Sequence, residues 1–414
     1  MLSPFRVLDL TNERGLLAGQ MLADLGADVI QVEPPGGSSA RRLGPFAQDE
    51  VDPDRSLYWW AYARNKRGIT LDLDHAEGQA LFRRLAERAD FVLESEAPGV
   101  MAARGLAYAD IATINPRVVY VSITPFGQDG PKASYADCDL VLMAAGGPLL
   151  MSGYPDRAPV RVSVPQAYHH AGGDAAGAAL IAHLERQRSG AGQHVDVSVQ
   201  QAVTTATMSS LLTAPLNDAD SPRASGGWFM KGFNFRLIWE AKDGYISLTH
   251  LFGSAAGPFT RRLMEWIYEE GGCDAATRDK DWEAYFQLLF TGEEPREEFE
   301  RVKQLVEDFV RTKSKAEHMQ AAMERKLLIV PVTTVGDVAQ SEQLADRDYW
   351  RTIDHDDGRE PVRYPGPFVR YSHHAIEYRR RAPRLGEHNA EVLIDELGVA
   401  TAEFAALQAK GVVA

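Results

Sequence analysis

The sequence predicts an α/β fold with an open, mostly parallel sheet and helices on both faces of that sheet. The first observation is an N-terminal strand–helix–strand pattern, in which apolar segments at residues 6–10 and 26–33 flank a helical pattern at 16–25. The second observation is that the pattern repeats, with buried strands at 69–73, 91–93 and 118–123 and a helix at 76–89. Strands that alternate with helices favour a parallel sheet, because each crossover helix returns the chain to the same edge.

The later part of the chain divides into three predicted regions. An alanine-rich helix at 171–188 and an alternating strand at 194–199 complete a large domain, which we place at residues 1–215. From 216 to 330 the composition changes: an aromatic stretch is followed by predicted helices rich in charged residues, which indicates a smaller domain. Short strands, polar loops and a last helix follow, so residues 331–414 are expected to return to the large domain.

Composition excludes several classes of protein. The 414 residues include 44 basic and 58 acidic ones, a net charge of −14, so the chain has no general attraction for nucleic acid or anionic lipid. It lacks an apolar run of about 18 residues and an N-terminal secretion signal, which predicts a cytoplasmic protein without membrane contact. Cys138 and Cys273 have no second thiol or histidine at metal-ligand spacing, so neither a disulfide framework nor a zinc site is expected.

Three local motifs have an ordinary structural interpretation beside a functional one. Gly15 and Gly19 lack the close spacing of a dinucleotide-binding turn, so we expect no permanently bound nicotinamide or flavin. His169 and His170 are neighbours on a predicted helix, where side chains point about 100 degrees apart, so they cannot readily share a metal ion. The basic run at 64–67 favours a solvated face, with phosphate contact as the alternative.

Eight segments, in order along the chain, resemble the family III CoA-transferases, the group that includes formyl-CoA transferase and carnitine CoA-transferase. The segments are Arg6–Leu10, Leu22–Ile30, Glu33–Gly37, Asn65–Leu73, Asn115–Tyr120, Phe126–Pro131, Arg188–Ser198 and Ala382–His388. The eight segments extend from residue 6 to residue 388. Their number and their order carry the resemblance.

The resemblance implies a fold, an assembly and a chemistry. The family combines a large Rossmann-like domain with a smaller α+β domain, and two chains interlock like links of a chain. Its substrates are CoA thioesters and free carboxylic acids. An aspartate carboxylate attacks the thioester carbonyl, forms a mixed anhydride, becomes an enzyme-bound CoA thioester and passes CoA to the acceptor acid. A hydroxyl group in its place would give a stable ester.

The chain departs from the family pattern at this nucleophile. Counting back from Gly190–Gln193 without a gap places Tyr168 where family members carry the aspartate. Asp174 follows six residues later, roughly 9 Å along a helix and about 240 degrees around it, so it should face elsewhere. Asp139 keeps an acidic position of the family, although the tyrosine that usually precedes it is Cys138 here.

The resemblance also carries over a CoA-binding region, and this region is altered. The family's loop, which reads roughly Asn-Phe-Arg-Pro-Gly, is Ser95–Gly99 here, with Glu96 in place of the aromatic residue and no arginine. A carboxylate at this point would repel nucleotide phosphates. The residues that the resemblance assigns to CoA contacts are Glu13, Arg14, Leu71, Asp72, Leu73, Asp74, Ser95 and Arg104.

These departures favour a subunit that has lost its own nucleophile and assembles with a homologous subunit that kept the aspartate. The arrangement resembles two-subunit family members of anaerobic toluene degradation, which move CoA from succinyl-CoA to benzylsuccinate. Three alternatives stay open at this point. They are a homodimeric transferase that uses Asp174 or Asp139, a racemase of 2-methylacyl-CoA that uses His169, and a protein that senses acyl-CoA without chemistry.

Overall fold

Six parallel strands form the central sheet of the protein. The computed structural model describes residues 1–217, 223–224, 226–356, 358 and 360–414. The strands are β1 (Arg6–Asp9), β2 (Asp28–Glu33), β3 (Arg67–Thr70), β4 (Phe91–Glu94), β5 (Val119–Thr124) and β6 (Gln193–Ser198). Their order in the sheet is β3-β2-β1-β4-β5-β6, and each neighbouring pair is parallel. The predicted parallel α/β fold is confirmed.

This strand order creates a crevice at the carboxyl edge of the sheet, between β1 and β4. The chain moves outward from β1 to β3 on one side, and from β4 to β6 on the other. The loops that follow the two central strands therefore diverge, and open α/β sheets bind their ligands at such a point. Glu13 and Arg14 lie in the loop after β1, and Ser95 follows β4 directly.

Helices cover both faces of the sheet. Neighbouring side chains of a strand enter opposite cores, so Val7 packs into one core and Leu8 into the other. The helices up to β6 and just beyond it are α1 (Leu16–Asp24), α2 (Leu57–Ala63), α3 (Ala76–Ala86), α4 (Val100–Ala103), α5 (Tyr108–Ile114), α6 (Asp139–Ala145), α7 (Pro148–Met151), α8 (Ala167–Ser189) and α9 (Val199–Thr205). Short 3-10 helices occupy Ser39–Arg42 and Ala47–Asp49. Among the described residues, no helix has both the length and the apolar character that a membrane crossing requires.

The alanine-rich helix α8 packs closely against its neighbours. Its buried residues include Ala167, Ala171 and Ala175, whose small side chains permit a short distance between elements. A Cβ atom added to Gly172 would lie only 2.9 Å from the Cβ of Leu17 on α1. α8 begins at Ala167, four residues before the predicted start, where Asp139 accepts hydrogen bonds from the amides of Gln166 and Ala167.

Residues Leu150–Arg161 and Ser210–Leu344 form a second compact unit. Its strands are β7 (Gly227–Met230), β8 (Phe233–Arg236), β9 (Ile238–Ala241), β10 (Gly244–Leu248) and β11 (Ile329–Pro331). An antiparallel sheet has the order β11-β10-β9, and β7 pairs with β8. The helices in this part of the chain are α10 (Met208–Leu211), α11 (Thr213–Asn217), α12 (Gly253–Glu269), α13 (Ala275–Arg278), α14 (Tyr285–Thr291), α15 (Arg296–Arg311), α16 (Lys315–Arg325), α17 (Val335–Ala339) and α18 (Glu342–Asp346).

The first unit consists of Met1–Leu149, Val162–Ser209 and Ala345–Ala414, so its limits differ from the predicted 215 and 330. Arg223 donates hydrogen bonds to the carbonyl oxygens of Leu150 and Tyr154, which holds that early segment within the second unit. Pairing of β11 with β10 keeps the chain in the second unit beyond residue 330. The chain then forms β12 (Arg351–Ile353), β13 (Val362–Tyr364), a π-helix (Ala390–Glu396) and α19 (Thr401–Ala409).

A fully buried lysine lies beneath the loop after β1. Lys66 Nζ donates to Asp9 Oδ2 at 2.7 Å, to Gln31 Oε1 at 3.0 Å and to the carbonyl oxygen of Leu16 at 3.1 Å. Neither the Lys66 nor the Asp9 side chain is accessible to solvent. A Cβ atom on Gly19 would lie 1.8 Å from Asp9 Oδ2, so the approach of α1 to this ion pair requires glycine there.

The basic run at 64–67 is buried, and its prediction as a solvated face is wrong. Arg64 Nη2 donates to Asp24 Oδ2 at 2.9 Å, and Arg67 Nη2 donates to Asp28 Oδ2 at 2.7 Å. Phosphate contact has no support either, because these cations are already paired with carboxylates of the chain. The sequence shows the charges of this run, but it does not reveal their partners Asp24 and Asp28, which lie 40 and 39 positions away.

Replacing Lys66 by Met should destabilise the protein by about 3–5 kcal/mol, because Asp9 would stay buried without its cation. Urea unfolding measures this loss. The matched control is Lys410→Met, which removes the exposed Lys410–Glu77 ion pair and should have a far smaller effect on stability. Equal losses for the two variants would contradict a central role for the buried pair.

The buried histidine His250 leads us to expect that the stability of the fold depends on pH. Burial lowers the pKa of His250 in the second unit to about 3. Above roughly pH 6.5 the ring is neutral in both states, but at lower pH only the unfolded chain takes up the proton. The contribution of His250 to the free energy of unfolding therefore falls by about 1.4 kcal/mol per pH unit as the pH drops below 6.5. His250→Gln should abolish about 2 kcal/mol of that loss between pH 6.5 and 5.

Urea unfolding across this pH range tests the prediction, with His374→Gln at an exposed position as the control for the loss of one histidine. Burial raises the pKa of Glu94 to about 7, which gives a trend of the opposite sign below that pH. That trend is common to all three proteins and cancels when they are compared. Identical pH profiles for the wild type and His250→Gln would show the prediction to be wrong.

Candidate functional site

Hydrogen bonds join the loops that follow β1 and β4 at the crevice. Asp9 Oδ1 accepts from the Thr11 amide at 2.9 Å and from the Thr11 hydroxyl at 2.6 Å. The Asn12 amide then donates to Ser95 Oγ at 3.1 Å, and Ser95 Oγ donates to Asn12 Oδ1 at 3.1 Å. These contacts fix the start of the loop that carries Glu13 and Arg14.

A carboxylate that the sequence did not single out lies next to Tyr168. Arg14 binds Asp137 through two hydrogen bonds, Nε to Oδ2 at 3.0 Å and Nη2 to Oδ1 at 2.7 Å. The Tyr168 hydroxyl donates to Asp137 Oδ2 at 2.7 Å. The Asp137 side chain is 5% exposed and that of Arg14 is 26% exposed. We call these three residues the Asp137 cluster.

The charges in the Asp137 cluster follow from these contacts. Burial acts to raise the pKa of Asp137, but the hydrogen bonds from Arg14 and Tyr168 outweigh burial and lower the pKa on balance. Burial and the hydrogen bond to Asp137 raise the pKa of Tyr168 above its ordinary value. The hydrogen bond to Asp137 also raises the pKa of Arg14. At neutral pH the cluster contains a carboxylate, a guanidinium and a neutral phenol, so Tyr168 is a donor and not an anion.

Asp139 supports the start of α8. Its Oδ1 accepts from the amides of Gln166 at 2.6 Å and Ala167 at 2.9 Å. The first N–H groups of a helix have no partner within the helix, so a buried carboxylate placed there satisfies them. Asp139 therefore orients the helix that carries Tyr168 and His169.

His169 occupies an aromatic pocket beside the Asp137 cluster. A 2.6 Å hydrogen bond joins its Nε2 to the hydroxyl of Tyr62, and its ring lies 4.9 Å from that of Tyr62, edge to face. Burial lowers the pKa of His169. His170 is exposed, in agreement with the expected divergence of neighbouring side chains. Within the described residues, no group of three or more His, Cys, Asp or Glu side chains could hold a metal ion.

The remaining residues that the resemblance assigns to CoA contacts are held by contacts within the chain. Leu71 is buried, the Asp72 amide donates to the carbonyl oxygen of Val412, and the Leu73 carbonyl oxygen accepts from Gln79. Glu13 Oε2 accepts from the hydroxyl of Ser39. Residues 71–73 therefore form part of the packing at the end of β3.

Arg104 is bound between two carboxylates. Its Nε donates to Asp74 Oδ1 at 2.8 Å, and its Nη1 donates to Glu96 Oε1 at 3.2 Å. Burial acts to lower the pKa of Arg104, but the hydrogen bond to Asp74 and the charge of Glu96 raise it on balance. The cation expected to meet CoA is thus already neutralised, and the neighbouring Glu94 adds a buried carboxyl group.

Sequence reasoning missed Asp137 and Tyr62. Asp137 precedes Cys138 and Asp139 in a short acidic run, but its partner Arg14 is 123 positions away, and no spacing rule connects the two. Tyr62 lies in an aromatic stretch of α2 that is typical of a protein core. Asp174 is exposed on α8, and no described hydrogen bond or ion pair joins it to the Asp137 cluster.

Comparison with known proteins gives one family along nearly the whole chain. The sequence model of CoA-transferase family III matches residues 2–389. The subunit BbsE of succinyl-CoA:(R)-benzylsuccinate CoA-transferase from Thauera aromatica is 35% identical over 95% of this chain and 93% of the relative. Succinate–glutarate CoA-transferase from Agrobacterium fabrum is 30% identical over 95% of this chain and 95% of the relative.

Solved structures share the fold. A CAIB/BAIF family protein from Brucella suis matches with a TM-score of 0.78 and 25% identity, over 95% of this chain and 98% of that chain. Rv3272 from Mycobacterium tuberculosis matches with a TM-score of 0.73 and 25% identity, over 94% of this chain and 98% of that chain. These likenesses confirm the predicted fold class.

Asp139→Ala should destabilise the protein by about 1–2 kcal/mol, because two amides at the start of α8 lose their acceptor. Asp139→Asn keeps one side-chain oxygen at the same place and should lose less than half as much. Urea unfolding of both variants against the wild type measures the difference. Full stability in Asp139→Ala would contradict the capping role and would return Asp139 to the candidates for catalysis.

Proposed function

We propose that this chain, which belongs to CoA-transferase family III, is the subunit without a nucleophile in a two-subunit CoA-transferase. A homologous subunit would supply the catalytic aspartate. Support for a subunit comes from the relative in Thauera aromatica, whose name designates it as one. By analogy with that name, the proposed donor is succinyl-CoA and the proposed acceptor is a dicarboxylic acid such as benzylsuccinate.

The observation that carries the proposal is the state of Tyr168. A carboxylate nucleophile first takes the acyl group on oxygen and releases CoA as a thiolate. The thiolate then attacks the carboxyl carbon of the enzyme in the mixed anhydride and expels the donor acid as its carboxylate. A phenol has no such carbon to accept CoA. Tyr168 is moreover protonated and donates its hydrogen to Asp137 at 2.7 Å.

The other carboxylates of this chain fit a catalytic role poorly. Asp137 binds Arg14 and Tyr168 through both of its oxygens, and Asp139 binds the start of α8. Asp174 lies on the exposed side of α8, six residues beyond Tyr168 and about 240 degrees around the helix. These contacts argue against the homodimeric alternative. The racemase alternative also loses support, because His169 binds the hydroxyl of Tyr62 and not a carboxylate.

The charges along the carboxyl edge favour CoA binding by the partner. Arg104 is neutralised by Asp74 and Glu96, so a nucleotide phosphate would have to displace a carboxylate to reach it. Glu96 would repel such a phosphate. We therefore assign the thioester chemistry to the homologous subunit, while this chain supplies its fold and its contacts with that subunit.

Trapping of the covalent intermediate tests the proposal. The complex of this chain with the proposed homologous subunit is incubated with succinyl-CoA and hydroxylamine, and the modified residue is mapped by mass spectrometry. We expect modification only at the aspartate of the homologous subunit. Changing that aspartate to Ala should reduce kcat by several orders of magnitude, as the loss of a covalent nucleophile commonly does.

Variants of this chain complete the test. Tyr168→Phe should change kcat by less than about tenfold, which corresponds to roughly 1.4 kcal/mol of barrier. Asp174→Asn is the matched control on the exposed side of the same helix and has the same limit. Modification of Asp137, Asp139 or Asp174, or turnover by this chain alone, would refute the proposal in favour of a homodimeric enzyme.

A further inference from the structure

We infer that Arg14 and Tyr168 form a binding site for a carboxylate, and that the chain's own Asp137 permanently occupies this site. This inference deepens the proposed function: because Asp137 occupies the site, acid substrates would use only the homologous subunit. In that one respect the inference rests on the proposed function. The binding site itself is argued from geometry alone.

The donors around Asp137 match the needs of a carboxylate. The guanidinium of Arg14 presents Nε and Nη2 to different oxygens, at 3.0 Å and 2.7 Å, in the two-pronged arrangement that suits a planar carboxylate. Tyr168 adds a third donor at 2.7 Å on the side of Oδ2. Three donors from two separate elements, the loop after β1 and helix α8, converge on one acidic group.

Burial distinguishes this arrangement from an ordinary surface ion pair. Asp137 is 5% exposed, whereas the carboxylates that bind Arg104 are far more accessible, at 76% for Asp74 and 43% for Glu96. Those two side chains can rotate into water when another anion arrives. Displacing Asp137 would instead leave a buried charge without a partner, which is strongly unfavourable. An external acid therefore cannot compete for Arg14 and Tyr168 while Asp137 is present.

Removing the side chain of Asp137 should convert the occupied site into an open one. Asp137→Ala keeps the Cβ atom and deletes only the carboxylate, so the missing group has the size and charge of formate. Arg14 and Tyr168 keep their donors, and each has lost an acceptor. The variant should bind small carboxylates, and it should do so through electrostatic and hydrogen-bonding contacts that a neutral molecule of the same shape cannot make.

Thermal unfolding of the full-length chain, in complex when the homologous subunit co-purifies, provides the test. Formate at about 50 mM should raise the Tm of Asp137→Ala by about 2 °C relative to the same concentration of chloride, if the site binds formate with a dissociation constant of a few millimolar. The neutral analogue formamide should give no such rise. The wild type, whose site is occupied, should show no rise with formate.

The double variant Arg14→Gln, Asp137→Ala identifies the donors, because it should lose the response to formate. If Asp137→Ala does not fold in chloride, formate should restore its folding, and failure to do so would count against the inference. A formate response in the wild type, or none in a folded Asp137→Ala, would overturn it. Neither result bears on which subunit forms the covalent intermediate, so this test and that of the proposed function fail independently.

Discussion

Lys66 and Asp9 form an ion pair without access to water, and the loop after β1 takes its course from that pair. An ammonium group buried in this way must find its acceptors inside the protein, and Asp9 provides one of three. Asp9 uses its second oxygen to bind both the amide and the hydroxyl of Thr11. The direction in which the chain leaves the sheet, and with it the position of Arg14, therefore depends on a charge pair below the crevice.

Asp137 and Asp139 obey the same constraint, because each of these carboxylates accepts hydrogen bonds from other parts of the chain. Asp137 has the donors of Arg14 and Tyr168, and Asp139 has two amides of α8. A carboxylate that attacks a thioester needs an oxygen free to reach the carbonyl carbon. In the proposed subunit, Asp137 and Asp139 are instead engaged in contacts that stabilise the fold.

The sequence was sufficient for features that depend on local pattern or on a long resemblance. The alternation of strands and helices predicted the parallel sheet, and eight segments in order along the chain predicted the family. Features that depend on which distant residues meet were not accessible. The run 64–67 has the composition of a solvated face, and only the register of β3 against β2 places Arg67 beside Ile30 and its side chain near Asp28. The pairing of Arg14 with Asp137 was hidden for the same reason.

Restoring an aspartate at position 168 would not by itself recreate the family's nucleophile in the proposed subunit. A second carboxylate close to Asp137 would compete with it for Arg14, and two carboxylates that share one cation raise the pKa of one another, so one of them would retain a proton. The shorter side chain would also leave the volume of the phenol ring empty, which costs stability. Arg14 would become available to the new aspartate only without Asp137. In the proposed subunit, the loss of catalysis would thus reside in three side chains that fit one another, and the absence of one aspartate would describe it only in part.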